Sequence, residues 1–504
     1  MRRRPVPEGY DTVIGLEVHC ELSTATKLFC GCANHFGSEP NTNICPVCLG
    51  LPGSLPVLNR QAVVLAMRIG AALGCRVEPS IFHRKNYFYP DMPKDYQISQ
   101  YDEPINVDGS LDLPDGSCVG IVRAHIEEDT GKTTHVGGGG GRIHGASHSL
   151  VDYNRAGVPL VEIVSAPDIR SARQARDYVA ELRGILVATG ASDGRMEEGS
   201  LRVDANISLR PTGAEELGTR CEVKNLNSLR SLVRAIEYEA ERQAVVLGAG
   251  DTVHQETRHW DENASRTHSL RSKEEAYDYR YFPEPDLVPV VPDEALFAAA
   301  AEGVGTMPAE RRRRLGALVS PGEPVVAGSA TADVIQTVIG LDLDSLVLAA
   351  VAAGADSVLA LNRAANDAAS RSDVAQSLDP AAFAALIKME SSGKLSATQA
   401  KAVLGEMLDA VEAAGAVAGG DSPAAVVGGA VDPAEIARRL GYEAMESSDL
   451  DEVIDAVIAA NPAEWERYVG GDEKVAGFLA GQVMKSTKGR ANGKLVAAAF
   501  AARR

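Results

Sequence analysis

Two segments that alternate strictly between apolar and polar residues constrain the fold of this chain most. In residues 12–22 and again in residues 200–209, every second side chain is apolar. The polar positions between them are Glu17, His19, Glu21, Arg202, Asp204, Asn206 and Ser208. A period of two is the signature of a strand with one face buried and one face free. The pattern therefore predicts a sheet with an apolar side and a chemically rich polar side.

The composition changes near residue 295. Before it, strand-like segments mix with helices at about residues 175–190 and after Asn227 or Ser228. Beyond it, the chain is rich in alanine, with apolar residues at helical spacing. We predict an α+β fold: a mixed α/β head with an antiparallel sheet, an all-helical middle and a small helical tail. The predicted domains are 1–295, 296–430 and 431–504, and residues 414–430 are predicted to form a linker or loop.

Length and charge exclude several classes of protein. The chain has 504 residues and a formal net charge of -19, which disfavours a non-specific nucleic-acid coat. It contains no run of about 18 apolar residues, so no membrane helix is predicted. The basic start, residues 1–5, is not followed by an apolar segment, and we expect a cytoplasmic protein.

Four cysteines have the spacing of a metal knuckle. Cys30 and Cys32 are followed after twelve residues by Cys45 and Cys48. Four thiolates close the tetrahedral coordination of zinc and leave no position for substrate. The set predicts a structural zinc site; unliganded thiols are the alternative.

Carboxylates and imidazoles could form a second metal site. Glu17 and His19 share a strand face, the segment His125–Asp129 supplies three carboxylates, and Glu162 interrupts an apolar run. Such groups suit a hard divalent cation such as Mg²⁺ if they converge. A solvated sheet face is the alternative, and the pattern does not give the distances between these groups.

No phosphate-binding loop of the Walker type is present. Gly131-Lys132-Thr133 lacks the required earlier glycine, because Ile126 occupies that position. The five glycines at 137–141 are predicted to connect a hairpin. A nucleotide would therefore bind without such a loop.

The tail contains a basic segment in an otherwise acidic chain. Its cations are Lys485, Lys488, Arg490 and Lys494. They suit contacts with an RNA backbone, and a solvated basic end is the alternative.

Several long motifs, in order, resemble one family. They are IGLEVHCEL, RKNYFYPDMPKDYQISQYD, HIEEDTGK, LVDYNRAGVPLVEIVSAPDIRS, EEGSLRVDANISLR, EVKNLNSLR and DYRYFPEPDL, over about residues 10–290. These resemble the GatB family, the B subunits of the aspartyl/glutamyl-tRNA(Asn/Gln) amidotransferases, and VMKSTKGRANGK resembles the family's tRNA-contacting tail.

The resemblance implies a cradle-shaped catalytic head that uses ATP and Mg²⁺ to phosphorylate the side-chain carboxylate of Glu-tRNA(Gln) or Asp-tRNA(Asn). Ammonia released from glutamine by a separate amidase/glutaminase subunit then displaces the phosphate, and a small third subunit makes the complex a heterotrimer. Because phosphorylation gives the carboxylate a leaving group, this chemistry needs cations more than a covalent nucleophile.

Residue roles follow from the matched motifs. The implied magnesium ligands are Glu17, His19, Glu128 and Glu162, with Glu127 as second choice because alternation places Glu128 opposite His125. Lys85 resembles the charged residue at the exit of the ammonia channel. Weaker candidates for contacts with ATP and the acceptor end are Asn154, Arg155, Arg202, Asp204, Asn206 and Lys224. The four cysteines resemble the zinc site that some members carry.

Two other functions fit parts of the pattern. The first is a non-catalytic scaffold that holds tRNA, which would have no need for the set Glu17, His19, Glu128 and Glu162. The second is a zinc hydrolase, which the closed cysteine set disfavours.

Overall fold

A computed structural model describes residues 9–137, 145–272, 279–302, 304–322, 325–326, 328–418, 431–442, 447–487 and 493–504. The chain divides into two compact units, Met1–Pro308 and Ala309–Arg504. The first is mixed α/β, and the described part of the second is helical. The predicted fold class is confirmed.

Twelve of the described strands form one sheet, in which the main order is β13-β12-β11-β10-β1-β9-β6-β4-β3-β14. The pairs are antiparallel except β11 with β12. β2 and β5 pair beside β6, and β7 and β8 form a separate hairpin. The strands are β1 (Tyr10–Glu21), β2 (Arg76–Val77), β3 (Phe82–Asn86), β4 (Tyr96–Gln100), β5 (Asn106–Asp112), β6 (Cys118–Glu128), β7 (Lys132–Val136), β8 (His148–Asp152), β9 (Pro159–Ser165), β10 (Leu201–Pro211), β11 (Cys221–Leu226), β12 (Glu256–Asp261), β13 (Arg266–Ser272) and β14 (Phe282–Pro283).

Side-chain caps fix where several helices begin. Ser171 and Ser228 each accept a backbone hydrogen bond at the start of α2 and α3, and Asp293 does so at the start of α4. The helices of the first unit are α1 (Arg60–Ala72), α2 (Ala172–Ala188), α3 (Leu229–Gly248) and α4 (Glu294–Ala301). The remaining helices are α5 (Pro308–Val319), α6 (Ala330–Gly340), α7 (Asp344–Ala352), α8 (Ser357–Asn366), α9 (Ser372–Ala375), α10 (Pro380–Ser391), α11 (Ala397–Ala418), α12 (Pro433–Arg439), α13 (Ser447–Ala460), α14 (Pro462–Val469), α15 (Ala476–Ser486) and α16 (Gly493–Arg503).

The alternation in β1 and β10 places successive residues on opposite sheet faces. Ile14, Leu16 and Val18 are buried in one apolar cluster, with side chains from α1, α2 and α3. Burying this face supplies the main stabilisation of the unit, since each fully buried aliphatic side chain contributes roughly 1.5–3 kcal/mol. The helices cover the apolar face, so the polar face remains for chemistry.

The second unit contains two apolar clusters. One includes Leu315 and Ala437, and the other includes Leu450 and Phe500. The domain boundaries at 295 and 430 stay predictions. Helix α11 extends to Ala418, so the start of the predicted loop at 414 is helical, while 419–430 lie outside the described residues.

The glycine segment is flanked by β7 and β8, which pair antiparallel as a hairpin. Gly137 ends the described part, and residues 138–144 lie outside it. Across the described residues, no single helix has the length and apolarity to span a membrane. Helices α6 and α7 have that length and apolarity only when taken together, and the chain bends by 110° between them.

Candidate active site

Strand register aligns a row of polar side chains across the centre of the sheet. His19 in β1 lies opposite Arg202 in β10 on one side and Glu162 in β9 on the other. Glu162 in turn lies opposite His125 in β6. Directly opposed residues share a face, so the register brings together residues that are far apart in sequence.

Three of these side chains form a compact cluster. One ligand atom each from His19, Glu127 and Glu162 lies within 4.8 Å of the others. The Nε2 atom of His19 is 3.5 Å from Oε1 of Glu127 and 3.8 Å from Oε2 of Glu162. Nε2 of His125 is 3.3 Å from the same Oε2. Two carboxylates and an imidazole are a donor set that fits a divalent cation.

Burial and neighbouring charges shift the pKa values of two carboxylates on this face, Glu162 and Glu17. Burial by itself would raise the pKa of Glu162, but His125 and His19 outweigh it and hold that pKa below its usual value. Burial raises the pKa of Glu17, and the nearby charge of Glu162 raises it further. Glu17 accepts a hydrogen bond of 2.9 Å from Nδ2 of Asn206. A bound cation would relieve this repulsion between carboxylates.

Glu127 and Glu128 lie on opposite faces of β6. Glu127 joins the cluster, whereas Glu128 is buried and pairs with Lys94, and it also accepts a hydrogen bond of 2.8 Å from the backbone N–H of Ile98. The structure thus brings the second-choice residue, not Glu128, to His19 and Glu162. Strand alternation predicts this arrangement, whereas the motif favours Glu128.

Lys85 in β3 interacts electrostatically with the carboxylates of the cluster. Its Nζ lies 4.8 Å from the ring centroid of Tyr279. Burial by itself would lower the pKa of Lys85, but Glu127 and the tyrosines Tyr281 and Tyr279 reverse this, and the pKa is raised. Lys85 is thus a cation beside the carboxylate cluster.

Asp129 organises two arginines beside the row. Its carboxylate contacts Nη2 of Arg155 at 2.7 Å and Nη2 of Arg202 at 3.0 Å. Burial alone would raise the pKa of Asp129, but the two arginines hold it below its usual value. The side chains of Arg155 and Arg202 are 32% and 38% exposed, although Nε and Nη2 of Arg202 are themselves buried.

The other candidates divide between the site and its surroundings. Nζ of Lys224 lies 2.7 Å from Asp204 and 2.9 Å from Glu222, next to Glu17 on the polar face. Asn154 is instead held by the knuckle loop, with its Oδ1 accepting from Asn43 N at 2.8 Å. Its contact with a nucleotide stays a prediction.

The shift at Asp129 predicts a pH dependence of stability. Because the folded pKa lies below the unfolded value of about 3.9, the stabilisation is complete above that value and is lost as pH falls through the folded pKa. We expect Asp129→Asn to lower the free energy of unfolding by roughly 1–3 kcal/mol at pH 6, a figure kept low because both arginines are partly exposed. In urea titrations, the difference in free energy of unfolding between Asp129→Asn and wild type should shrink as pH falls below about 4. A difference that stays constant down to pH 3 would contradict the pairing of ionised Asp129 with the arginines.

The four predicted knuckle cysteines also converge. One sulfur from each of Cys30, Cys32, Cys45 and Cys48 lies within 4.8 Å of the others, and the Cys45 and Cys48 sulfurs are 3.9 Å apart. Zinc–sulfur bonds of about 2.3 Å in a tetrahedron place sulfurs roughly 3.8 Å apart, so the set fits the metal. A hydrogen bond with Cys30 lowers the pKa of Cys48, and the positive charge of Lys27 contributes.

The tail residues are only partly described. Lys485 is exposed in the last turn of α15. Lys488 and Arg490 lie outside the described residues, and Lys494 lies in α16 without a described side chain. Their contact with tRNA stays a prediction.

Sequence reasoning gave no role to His125 or Tyr281 and counted Asp129 only among the possible metal carboxylates. His125 forms an ion pair with Glu162, and Asp129 forms ion pairs with the two arginines. Tyr281 helps to raise the pKa of Lys85. His125 and Asp129 stand in the motif HIEEDTGK, and Tyr281 stands in DYRYFPEPDL. The signal for His125 is its spacing of two residues from Glu127, which puts both on one strand face.

Comparison with known proteins gives the family. Residues 12–298 match the family described as GatB/GatE catalytic domain, and residues 359–503 match the GatB domain.

Three similar proteins are each named as the B subunit of an aspartyl/glutamyl-tRNA(Asn/Gln) amidotransferase. That of Mycobacterium sp. (strain KMS) is 48% identical over 96% of this chain and 94% of its own length. That of Frankia casuarinae is 47% identical over 97% of this chain and 94% of its own length. That of Salinispora arenicola is 48% identical over 97% of this chain and 95% of its own length. With a catalytic-domain match over more than half of its length and such relatives over nearly all of it, the chain belongs to the GatB family, the B subunits of the tRNA-dependent amidotransferases.

Proposed function

We propose that the polar face of the sheet phosphorylates the side-chain carboxylate of Glu-tRNA(Gln) or Asp-tRNA(Asn), as the kinase step of a glutamine-dependent amidotransferase. The convergence of His19, Glu127 and Glu162 on this face is the observation that carries the proposal. The names of the relatives point to the same tRNA substrates.

The cluster is suited to hold Mg²⁺, with His19, Glu127 and Glu162 as ligands and Glu17 beside them. When bound there, the cation would offset negative charge on the transferring phosphoryl oxygens. Magnesium usually takes one or two protein carboxylates and completes its coordination with water and substrate phosphates. The cluster leaves room for such a shared site.

The arginines and Lys224 supply the remaining positive charge. Arg155 and Arg202 are held by Asp129, their side chains are partly exposed, and we expect their remaining N–H groups to bind phosphate oxygens in a fixed orientation. Asp204 and Glu222 hold Lys224 in the same way. No Walker loop is needed, since side-chain cations on the strands and on the turn 153–158 can hold the phosphates instead.

The proposed reaction has two steps. The substrate carboxylate oxygen attacks the γ-phosphorus of ATP, forming an acyl phosphate and releasing ADP. Ammonia then attacks the acyl carbon, phosphate leaves, and an amide remains after loss of one proton. Lys85 stands beside Glu127 and Tyr279, where its positive charge can orient the acyl phosphate and the arriving ammonia.

We further propose two partner subunits, a tRNA contact and a structural metal around this centre. An amidase/glutaminase subunit supplies ammonia from glutamine, and a small third subunit joins the pair as a heterotrimer in the cytoplasm. The basic segment with Lys485, Lys488, Arg490 and Lys494 contacts tRNA phosphates. The four cysteines hold a structural Zn²⁺, which their closed coordination favours over a catalytic role.

Metal binding tests the cluster separately from the reaction. Mn²⁺ serves as the probe because its binding is read by electron paramagnetic resonance and it accepts the same oxygen ligands. We expect Glu162→Gln to weaken Mn²⁺ binding by at least about tenfold, equivalent to 1.4 kcal/mol, through loss of a negative charge without loss of volume. Glu241→Gln, an exposed change on α3, is the control and should bind like wild type. Equal affinity in Glu162→Gln and the control would place the cation elsewhere.

A non-catalytic tRNA scaffold is the alternative, and the comparisons do not favour it. It would bind tRNA as tightly as the enzyme but would show no tRNA-dependent cleavage of ATP. Phosphoryl transfer that survives in Glu17→Ala would remove Glu17 from the metal site, and tRNA affinity should change little in that variant.

A further inference from the structure

Lys27 is a fully buried lysine without a carboxylate partner among the described residues. Its side chain is among the largest that are completely inaccessible, at 0% exposure. Its Nζ donates one hydrogen bond, of 3.2 Å, to the backbone oxygen of Tyr153. Within the described ranges, no carboxylate oxygen lies within 4.0 Å of this ammonium. A buried charge without a counter-charge is unfavourable, so the surroundings must supply one.

Lys27 stands between the cysteine cluster and the turn 153–158. Its backbone N–H donates to the oxygen of Cys32 at 3.0 Å, and the next N–H, of Leu28, donates to Gly157 at 2.8 Å. A Cβ built on Gly157 would lie 3.7 Å from Cβ of Cys48 and 3.7 Å from Cδ of Lys27. The lysine stem and Cys48 therefore both lie close to Gly157 in the turn.

The carboxylate of Glu128 lies near Gly157 but is already engaged. Oε2 of Glu128 lies 3.7 Å from the same built Cβ, but the Oε1 atom of this residue pairs with buried Lys94. Lys94 therefore already balances the charge of Glu128, and Lys27 has no carboxylate of its own within 4.0 Å in the described part of the chain. A zinc ion held by four thiolates carries a net charge of about -2, which supplies the missing negative charge at this place.

We infer that Lys27 is the buried counter-charge of the metal-loaded cysteine cluster and couples that cluster to the turn 153–158. This inference rests on the zinc site proposed above. It makes Lys27 a positioning residue: it touches neither substrate nor cofactor. The turn carries Arg155, which pairs with Asp129, so loading of the metal fixes one of the phosphate-binding arginines.

Two variants of the full chain test the inference. Lys27→Met removes the charge at similar volume, and Lys27→Gln removes the charge but keeps a donor for Tyr153. Zinc affinity is measured by competition with a chelator, and thermal midpoints are measured with and without zinc. We expect both variants to bind zinc about 10–100-fold more weakly, the usual range for a partner in the outer shell of a metal site.

The comparison of loaded and metal-free forms separates charge from packing. With zinc bound, the thermal midpoints of Lys27→Met and Lys27→Gln should be lower than that of wild type. Without zinc, they should melt at or above wild type, because the metal-free wild type retains an uncompensated buried ammonium. Leu28→Ala, an adjacent fully buried change without charge, is the matched control and should lower both midpoints equally while leaving zinc affinity unchanged.

Zinc binding and its coupling to Lys27 can fail separately. No bound zinc in wild type would overturn the zinc proposal itself. Zinc bound equally by wild type and the Lys27 variants, or equal shifts of both midpoints, would overturn the inference alone. If neither variant folds, hydrogen exchange in wild type decides: removal of zinc should accelerate exchange across 153–158 as well as in the knuckle, and unchanged exchange in the turn would contradict the coupling.

Discussion

Glu127→Gln should reduce tRNA-dependent cleavage of ATP by roughly 10²–10³-fold, the range typical for loss of one group that stabilises transition-state charge. The substitution removes one negative charge from the cluster with His19 and Glu162 and keeps the side-chain volume. Affinity for tRNA should change little, since the tail is untouched. The measurement is release of ADP by the assembled amidotransferase, given Glu-tRNA(Gln), ATP and Mg²⁺.

The neighbouring residue provides the matched control. Glu128→Gln makes the same chemical change one position along β6, on the face that pairs with Lys94. Per folded molecule, its ATP cleavage should stay within about threefold of wild type, a difference of less than 1 kcal/mol in barrier height. The opposite outcome, with Glu128→Gln inactive and Glu127→Gln active, would restore the motif-based assignment and refute the geometric one.

Lys94→Met should lower the free energy of unfolding of the first unit by roughly 3–5 kcal/mol, because losing this partner leaves an uncompensated buried carboxylate. The carboxylate is that of Glu128, whose side chain is 2% exposed. Urea unfolding reports the loss through the fluorescence of buried Trp260 in a Trp465→Phe background.

A double variant controls for the charge. Lys94→Met with Glu128→Gln removes both charges of the pair and should recover much of the lost free energy, because neither member is left as an unpaired buried charge. Additive losses in the double variant would show that the two residues act independently, contrary to the geometry.

The sheet and its polar face could be predicted because alternation is a local property. β1 and β10 occur where the period of two places them, and alternation in β6 puts Glu127 beside His125 and away from Glu128. The cysteine spacing likewise predicts a convergent cluster. Where the motif and the alternation disagree, the structure follows the alternation, since a strand cannot present adjacent residues on one face.

The partners of these groups could not be predicted, because they depend on register and on contacts distant in sequence. The pairing of Glu128 with Lys94 spans 34 positions, and that of Lys27 with Tyr153 spans 126. The register that sets His19 opposite Glu162 is fixed only when β1 and β9 pair within the whole sheet. Sequence pattern identifies which side chains share a face but not which atoms meet.

The proposed kinase step is tested most directly by tRNA-dependent cleavage of ATP with glutamine and ammonia omitted. The chain, assembled with its glutaminase and small partner subunits, is given ATP, Mg²⁺ and either Glu-tRNA(Gln) or Asp-tRNA(Asn), and ADP is followed before and after ammonium is added. We expect ADP formation that requires this chain and misacylated tRNA, followed by amidated tRNA once ammonium is present. Tight binding of both tRNAs without any ADP would contradict the kinase assignment and identify a scaffold.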